Sequence, residues 1–472
     1  MKTKFFFIAL FSLSLLTTSC SNDDDSNNSN PTPTPNIVEL AQATPDLSSL
    51  VAALTRADGD LVTVLSGNGP YTVLAPTNAA FTAFLSANGF ASLEDVPTDV
   101  LSQVLLNHVI MADVSSSDLV TMGSGYTSGS ASGPDGLNIS IYFDASGSVM
   151  FNNVATVTTA DADASNGTVH IIDAVLGLPS VVDHAVANPA FSNLVAALGA
   201  ADGDLVNVLS GTGPFTVLAP DDAAFSTFLN GTPLGNVDTA VLSQILLNHV
   251  IIGSTVTSTT LVDAGAGYEN TGASGPGGNA LSLYYNTSNG VIFNGISTVT
   301  QADVVGTNGI IHAVDTVIDI PTVVTFAVAD PNFSTLVTAL TTLTPATDFA
   351  GILSRTATGN ADTLDPDFTV FAPTNDAFTA LAAIPAEGPL TQILLHHVIK
   401  EANITSSMLN NPGDTTAATL EGDNITITLP GSGSNIADIT DGSGATDIGI
   451  VAVDVQAGNG VIHVINKVMI NN

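Results

Sequence analysis

The stretch NGTVHIIDAV (166–175) returns as NGIIHAVDTV (308–317) and again as NGVIHVINKV (459–468). Asn-Gly reads as a hairpin turn, because both residues tolerate positive φ. The apolar run after it reads as a strand, whose side chains alternate between two faces. That alternation puts His170 on the face of Thr168 and Ile172 and puts Asp173 on the other. The H-x-x-D pairs His170/Asp173 and His312/Asp315 therefore do not converge, and the third copy holds Asn466 in place of the acid. His170, His312 and His463 are expected to be fixtures of a buried closing strand. Asp161, Asp303 and Asp454 each stand six residues before the glycine of their copy. They are expected to bond turn amides, with a histidine–aspartate metal site as the rival reading.

Working outward, three further blocks repeat in the same order. A helical run, DLSSLVAALTRADGDLVTVLSG (46–67), matches AFSNLVAALGAADGDLVNVLSG (190–211) and, more loosely, NFSTLVTALTTL (332–343). YTVLAPTNAAF (71–81) matches FTVLAPDDAAF (215–225) and FTVFAPTNDAF (368–378). VLSQVLLNHVI (100–110) matches VLSQILLNHVI (241–251) and LTQILLHHVI (390–399). A period of about 140–150 residues is a domain length rather than a solenoid repeat. In the first block Leu47, Leu50, Val51 and Leu54 recur at helical spacing. The second reads as a strand ended by Ala-Pro, with Thr77 or Asn78 capping the helix that follows. In the third, Leu101, Val104, Leu105 and His108 share a helix face. LNISIYF (137–143) and SVMFNNVATV (148–157) alternate as strands. Each unit is helical first and β-rich second, an α+β domain.

These blocks resemble the fasciclin (FAS1) domain. TVLAPTNAAF is similar to the family's first signature, NGVIHVI with its flanks to its second, and LLxHV to the central region between them. The resemblance runs from Asn36 to the end in three copies. It implies a β-sandwich of short strands with helices packed around it, and a non-catalytic role in extracellular adhesion or matrix interaction. In animal members a tyrosine just before the central histidine is tied to integrin binding; here that place holds Asn107, Asn248 and His396. Integrin-type recognition is therefore not carried over. The expected ligand-contact region is Asn107, His108, Asn248, His249, His396 and His397, although a histidine among leucines is ordinarily a hydrogen-bonded core group.

The chain opens with MKTKFFFIALFSLSLLTTSC: Lys2 and Lys4, an apolar segment from Phe5 to Leu16, then small residues before Cys20. This is a secretory signal too short to span a bilayer, and LTTSC resembles the lipobox in which the cysteine is acylated. The acidic run in SNDDDSNNSNPTPTP (21–35) resembles the surface-export signal of Bacteroidota lipoproteins, on an extended spacer. The expected organisation is 1–20 lipoprotein signal peptide, 21–35 flexible linker, and domains at 36–178, 179–320 and 321–472. The expected location is the outer membrane, exposed on the cell surface, with the lipid as the only membrane contact.

Composition excludes several function classes. With 43 acidic residues against 6 basic, the formal net charge of −37 repels phosphate backbones, so no nucleic-acid partner is expected. Cys20 is the only cysteine, which rules out an internal disulfide and a cysteine zinc site. No tryptophan is present for sugar or base stacking. DADASNG (161–167) departs from an EF-hand, since glycine falls at the seventh place and no glutamate closes the loop. Weak calcium association with the acidic surface remains an expectation. No G-x-S-x-G elbow occurs, so no enzyme activity, catalytic residue, metal centre or cofactor is expected. The expected function is adhesion to a cell-surface or matrix protein or glycan. The alternative is a small-ligand or glycan-binding accessory in nutrient capture, which needs an apolar pocket.

Overall fold

The computed structural model describes residues 34–362 and 364–471. Cys20, the expected signal peptide and most of the expected linker lie outside the described residues. Among those described, no single helix is long and apolar enough to cross a membrane.

The first domain begins with three helices, α1 (Ile37–Ala43), α2 (Ser48–Arg56) and α3 (Leu61–Ser66). Strand β1 (Tyr71–Pro76) is followed by α4 (Asn78–Ala87), α5 (Thr98–Leu106), β2 (Val109–Ile110) and α6 (Ser116–Met122). Five strands close the unit: β3 (Ser124–Ser132), β4 (Asn138–Asp144), β5 (Met150–Phe151), β6 (Ala155–Ala164) and β7 (Gly167–Ile172). Their order in the seven-stranded sheet is β2-β1-β7-β6-β5-β4-β3, and the two later domains repeat it. Only β1 and β7 pair in parallel, side by side from Tyr71–Gly167 to Pro76–Ile172. A parallel pair covered on both faces explains why YTVLAP is buried at every position.

Two cores result in each domain. Val73, Ala75 and Val169 face the helices, where Leu50, Leu54 and Leu101 meet them. Leu74 and Ile172 face the other way and pack on Ile141, Phe143 and Phe151 of β4 and β5. The sheet thus folds over on itself, which is how one ladder makes the expected sandwich. The bend is carried by β6, whose register slips twice between Val157 and Ala162 and whose Asp161 lies at φ 54. Local chemistry follows the pattern read from sequence: Thr77 caps α4 by accepting from the Ala80 amide at 3.2 Å, as Asp221 and Thr374 do in their copies.

The third domain departs in its first block. There a helix over Ser334–Thr338 runs into a π-helical turn over Ala339–Leu343.

Candidate functional site

The central histidine of each domain ends the helix of the third block. His108 Nδ1 lies 2.7 Å from the Val104 carbonyl, one helical turn back, and Nε2 accepts from the Leu176 amide at 2.9 Å. Nδ1 is therefore the protonated nitrogen. His249 repeats this with Ile245 and Ile318, and His397 with Ile393 and Met469. Burial outweighs the bond to the helix carbonyl, and for His397 also the nearby Asp441, and holds all three down to about 4, so they are neutral at pH 7.

The closing-strand histidine has the opposite tautomer. His170 Nε2 donates to the Val114 carbonyl at 2.9 Å, and Nδ1 accepts from the Asp161 amide at 3.2 Å. His312 and His463 do the same with Val256 and Asp303, and with Ile404 and Asp454. Both ring nitrogens are thus committed to backbone, which leaves no lone pair for a metal. The aspartates do not bond the hairpin turn as expected. Asp161 accepts from the amide and hydroxyl of Ser116, the first residue of α6, 45 residues earlier, and Asp303 and Asp454 hold Ser258 and Ser406 alike. Bulging β6 at Asp161 turns that carboxylate toward the helix start, where anions are favoured. Asp173 binds the Thr156 amide at 2.6 Å, and Asn466 replaces it against Gly449 at 2.8 Å, because an amide oxygen serves as well as a carboxylate there.

The Asn-Gly pair also differs from its sequence reading. The last hairpin pair is Ala164–Gly167, so Ser165 and Asn166 form the turn and the glycine already belongs to β7. Asn166 is a hub. Its Oδ1 accepts from the Ile37 amide at the start of α1, and its Nδ2 donates to Leu65 and Gly67 at the end of α3. Its carbonyl accepts from the Tyr71 amide. Asn308 and Asn459 make the same set of contacts. Gly167 is glycine because a Cβ there would stand 1.9 Å from the Tyr71 carbonyl oxygen.

The residues expected to touch a ligand are all interior. Asn107, Asn248 and His396 have 0% exposure, and His108, His249 and His397 have 2% or less. Asn107 and Asn248 donate to carbonyls of the segment that leaves the domain, Gly177 and Asp319. His396 bonds Thr419 and the Gly442 amide and lies 3.5 Å from Glu421. Contact with a ligand would require these helix ends to open. Among the described residues, no group of three or more His, Cys, Asp or Glu side chains is placed to hold a metal ion.

The junction between domains is built alike twice. Ser140 on β4 accepts from the Val305 amide of the second domain at 2.9 Å, and Ser282 accepts from Gln456 of the third at 2.9 Å. Tyr126 stacks edge-on against His184 with centroids 5.8 Å apart, and Tyr268 against Phe326 at 5.8 Å. Asn188 donates to the Tyr126 hydroxyl, whereas the Tyr268 hydroxyl donates to Asp330. Burial pushes the Tyr126 phenol up to about 12. Beside the first junction lies a groove of about 340 Å³, lined by Asn152, Asn153, Val154, Pro179, Asp183 and Val186. Val154 and Val186 are 60% and 57% exposed, and the equivalent Ile296 and Val328 of the second junction are 54% and 65% exposed. Sequence reasoning did not find this feature, since each valine reads singly as an ordinary surface residue.

Comparison with known proteins agrees with the architecture. The fasciclin domain family model matches residues 45–179, 189–321 and 331–471. Human periostin is 27% identical over 449 residues, which is 92% of this chain and 47% of periostin. The transforming growth factor-beta-induced protein ig-h3 of Sus scrofa is 26% identical over 455 residues, 92% of this chain and 57% of that protein. The chain thus spans about half the length of these relatives. Cell surface glycolipoprotein MPB83 of Mycobacterium bovis is 34% identical over 149 residues, 30% of this chain and 61% of that protein. A solved FAS1 domain pair from the insect cell adhesion molecule fasciclin I aligns with a TM-score of 0.37 and 22% identity, covering 58% of this chain and 96% of that one.

Proposed function

The chain belongs to the fasciclin domain family, and from that premise we propose that it is a non-catalytic, surface-displayed adhesion protein. Its partners would be cell-surface or matrix proteins or glycans, held by several weak contacts at once. The observation that carries the reading is the groove at the first junction, flanked by exposed Val154 and Val186, together with the exposed Ile296 and Val328 at the equivalent places of the second junction. Two copies of one surface on a single chain gain avidity when both engage. At a net charge of −37, the partner face that meets them is cationic around an apolar anchor, and calcium associates only weakly with the acidic surface. Lipid attachment at Cys20 and display outside the outer membrane complete the proposal; MPB83, named a cell surface glycolipoprotein, supports that placement. The alternative, ligand capture for nutrient uptake, has one observation in its favour, an apolar pocket in the third domain.

The test is adhesion of cells and matrix to the immobilised chain. Val154→Asp with Val186→Asp should weaken it, and adding Ile296→Asp should weaken it further while melting holds, because all three side chains are exposed. Unchanged adhesion in the triple variant would remove the junctions from the proposal. For the anchor, Cys20→Ser should release the protein into the medium and abolish palmitate labelling.

A further inference from the structure

We propose that the third domain holds the end of an uncharged alkyl chain in a pocket that the first two domains keep closed. The three copies supply the comparison. Leu50, Leu65, Val73 and Val169 in the first domain match Leu194, Leu209, Val217 and Ile311 in the second and Leu336, Leu353, Val370 and Ile462 in the third. The space among them is about 10 Å³ in the first, about 20 Å³ in the second and about 80 Å³ in the third.

Two sequence changes open it. Val62 and Val206 pack on their cores in the first two domains, and Ala350 stands at that place in the third, on the pocket wall. The connection from Leu340 to Phe349 is two residues longer than those from Leu54 to Leu61 and from Leu198 to Leu205, and the π-helical turn over Ala339–Leu343 takes up part of the extra chain.

The lining sets the ligand class. It is aliphatic apart from Phe349 and Thr341, and the Thr341 hydroxyl already donates to the Val337 carbonyl at 2.7 Å. Nothing in the wall orients a polar head. Asp348, next to Phe349 in the chain, accepts from the Gly351 amide and disfavours an anion near this wall. The enclosed space is about half that of an engineered apolar cavity that takes benzene. Only the end of a chain is enclosed, and the rest leaves past Val328 and Thr341. The proposal does not rest on the adhesion reading: Val328 borders both surfaces, but the space that takes the alkyl end lies inside the third domain.

The experiment is a titration of the full chain with 1-butanol, 1-hexanol and 1-octanol, followed by methyl NMR shifts, with octanoate as the anionic control. Affinity should rise about four-fold per methylene until the chain reaches the mouth, octanoate should bind at least ten-fold more weakly than octanol, and shifts should fall in the third domain. Ala350→Val restores the residue of the other two domains, so it should keep the fold and reduce octanol affinity at least ten-fold. Leu336→Trp, which fills the space from the opposite wall, should do the same. Affinity independent of chain length, octanoate binding as tightly as octanol, or full octanol affinity in folded Ala350→Val would overturn the proposal. Adhesion should be unaffected by Ala350→Val, so the two readings fail separately.

Discussion

His108 Nε2 accepts a hydrogen bond from the Leu176 amide at 2.9 Å, joining the end of the central helix to the segment that leaves the domain 68 residues later. The same ring donates to Val104, so one neutral imidazole satisfies two backbone groups in a dry interior. A protonated ring cannot make the first bond, and an aliphatic side chain can make neither.

His108→Ala should therefore destabilise the first domain by about 3 kcal/mol, from a cavity together with an unpartnered buried amide. In urea unfolding of the full chain, the first-domain transition should move to lower denaturant while the third-domain transition stays. Loss of adhesion in the still-folded variant, with no change in midpoint, would restore a ligand role for this residue.

Acid should destabilise the whole array. Burial lowers His108, His184, His249 and His397 from 6.5 to about 4. Between those values the unfolded chain binds protons that the native chain refuses, so stability rises with pH across the window. It is complete above pH 6.5 and falls as pH drops toward 4, by up to roughly 3 kcal/mol per histidine. Urea midpoints at pH 7.5 and 4.5 check this; equal midpoints would mean the rings are not buried neutral.

Two substitutions in the Asn-Gly pair should act far more strongly than their exposure suggests. Asn166→Ala removes bonds to Ile37, Leu65 and Gly67 and should cost about 3 kcal/mol. Gly167→Ala drives a methyl into the Tyr71 carbonyl and should part β1 from β7, whereas Gly147→Ala meets nothing within 4 Å and should be neutral. Thermal melts of the three variants give the ranking, and a tolerated Gly167→Ala would contradict the close pairing.

The array should not extend by adding further chains end to end. Asp163 stands where Val305 meets the preceding domain, and Asp414 stands where Tyr126 and Tyr268 meet the following one; both aspartates are exposed. Joining those two faces would bury two like charges, which opposes head-to-tail packing of one copy on another. Sedimentation of the acyl-free chain should give one monomeric species, and head-to-tail filaments would count against this.

Much of this was legible in the residues. The repeat, the α+β order, the Thr77 cap and the core character of the histidines follow from local spacing and polarity, which act within a few residues. The turn position was displaced by one residue, because Asn166 is chosen for three contacts with helices about a hundred positions away rather than for its backbone. Asp161 was paired with the wrong amides for a related reason. Ser116 becomes its partner only when the bulge in β6 brings α6 alongside.

By itself, then, the sequence determined what one unit must bury and how often the unit recurs, since hydrophobic periodicity and turn chemistry are properties of neighbouring residues. Only the tertiary structure decided what the units present to one another and to solvent. Ser140 reads as an ordinary strand serine until the Val305 amide of the next domain arrives 2.9 Å away. Val154 and Val186 read as scattered surface residues until packing sets them on one groove. The difference is physical: burial of a stripe is dictated by the stripe, whereas a surface is made by whichever distant segments the packing brings together.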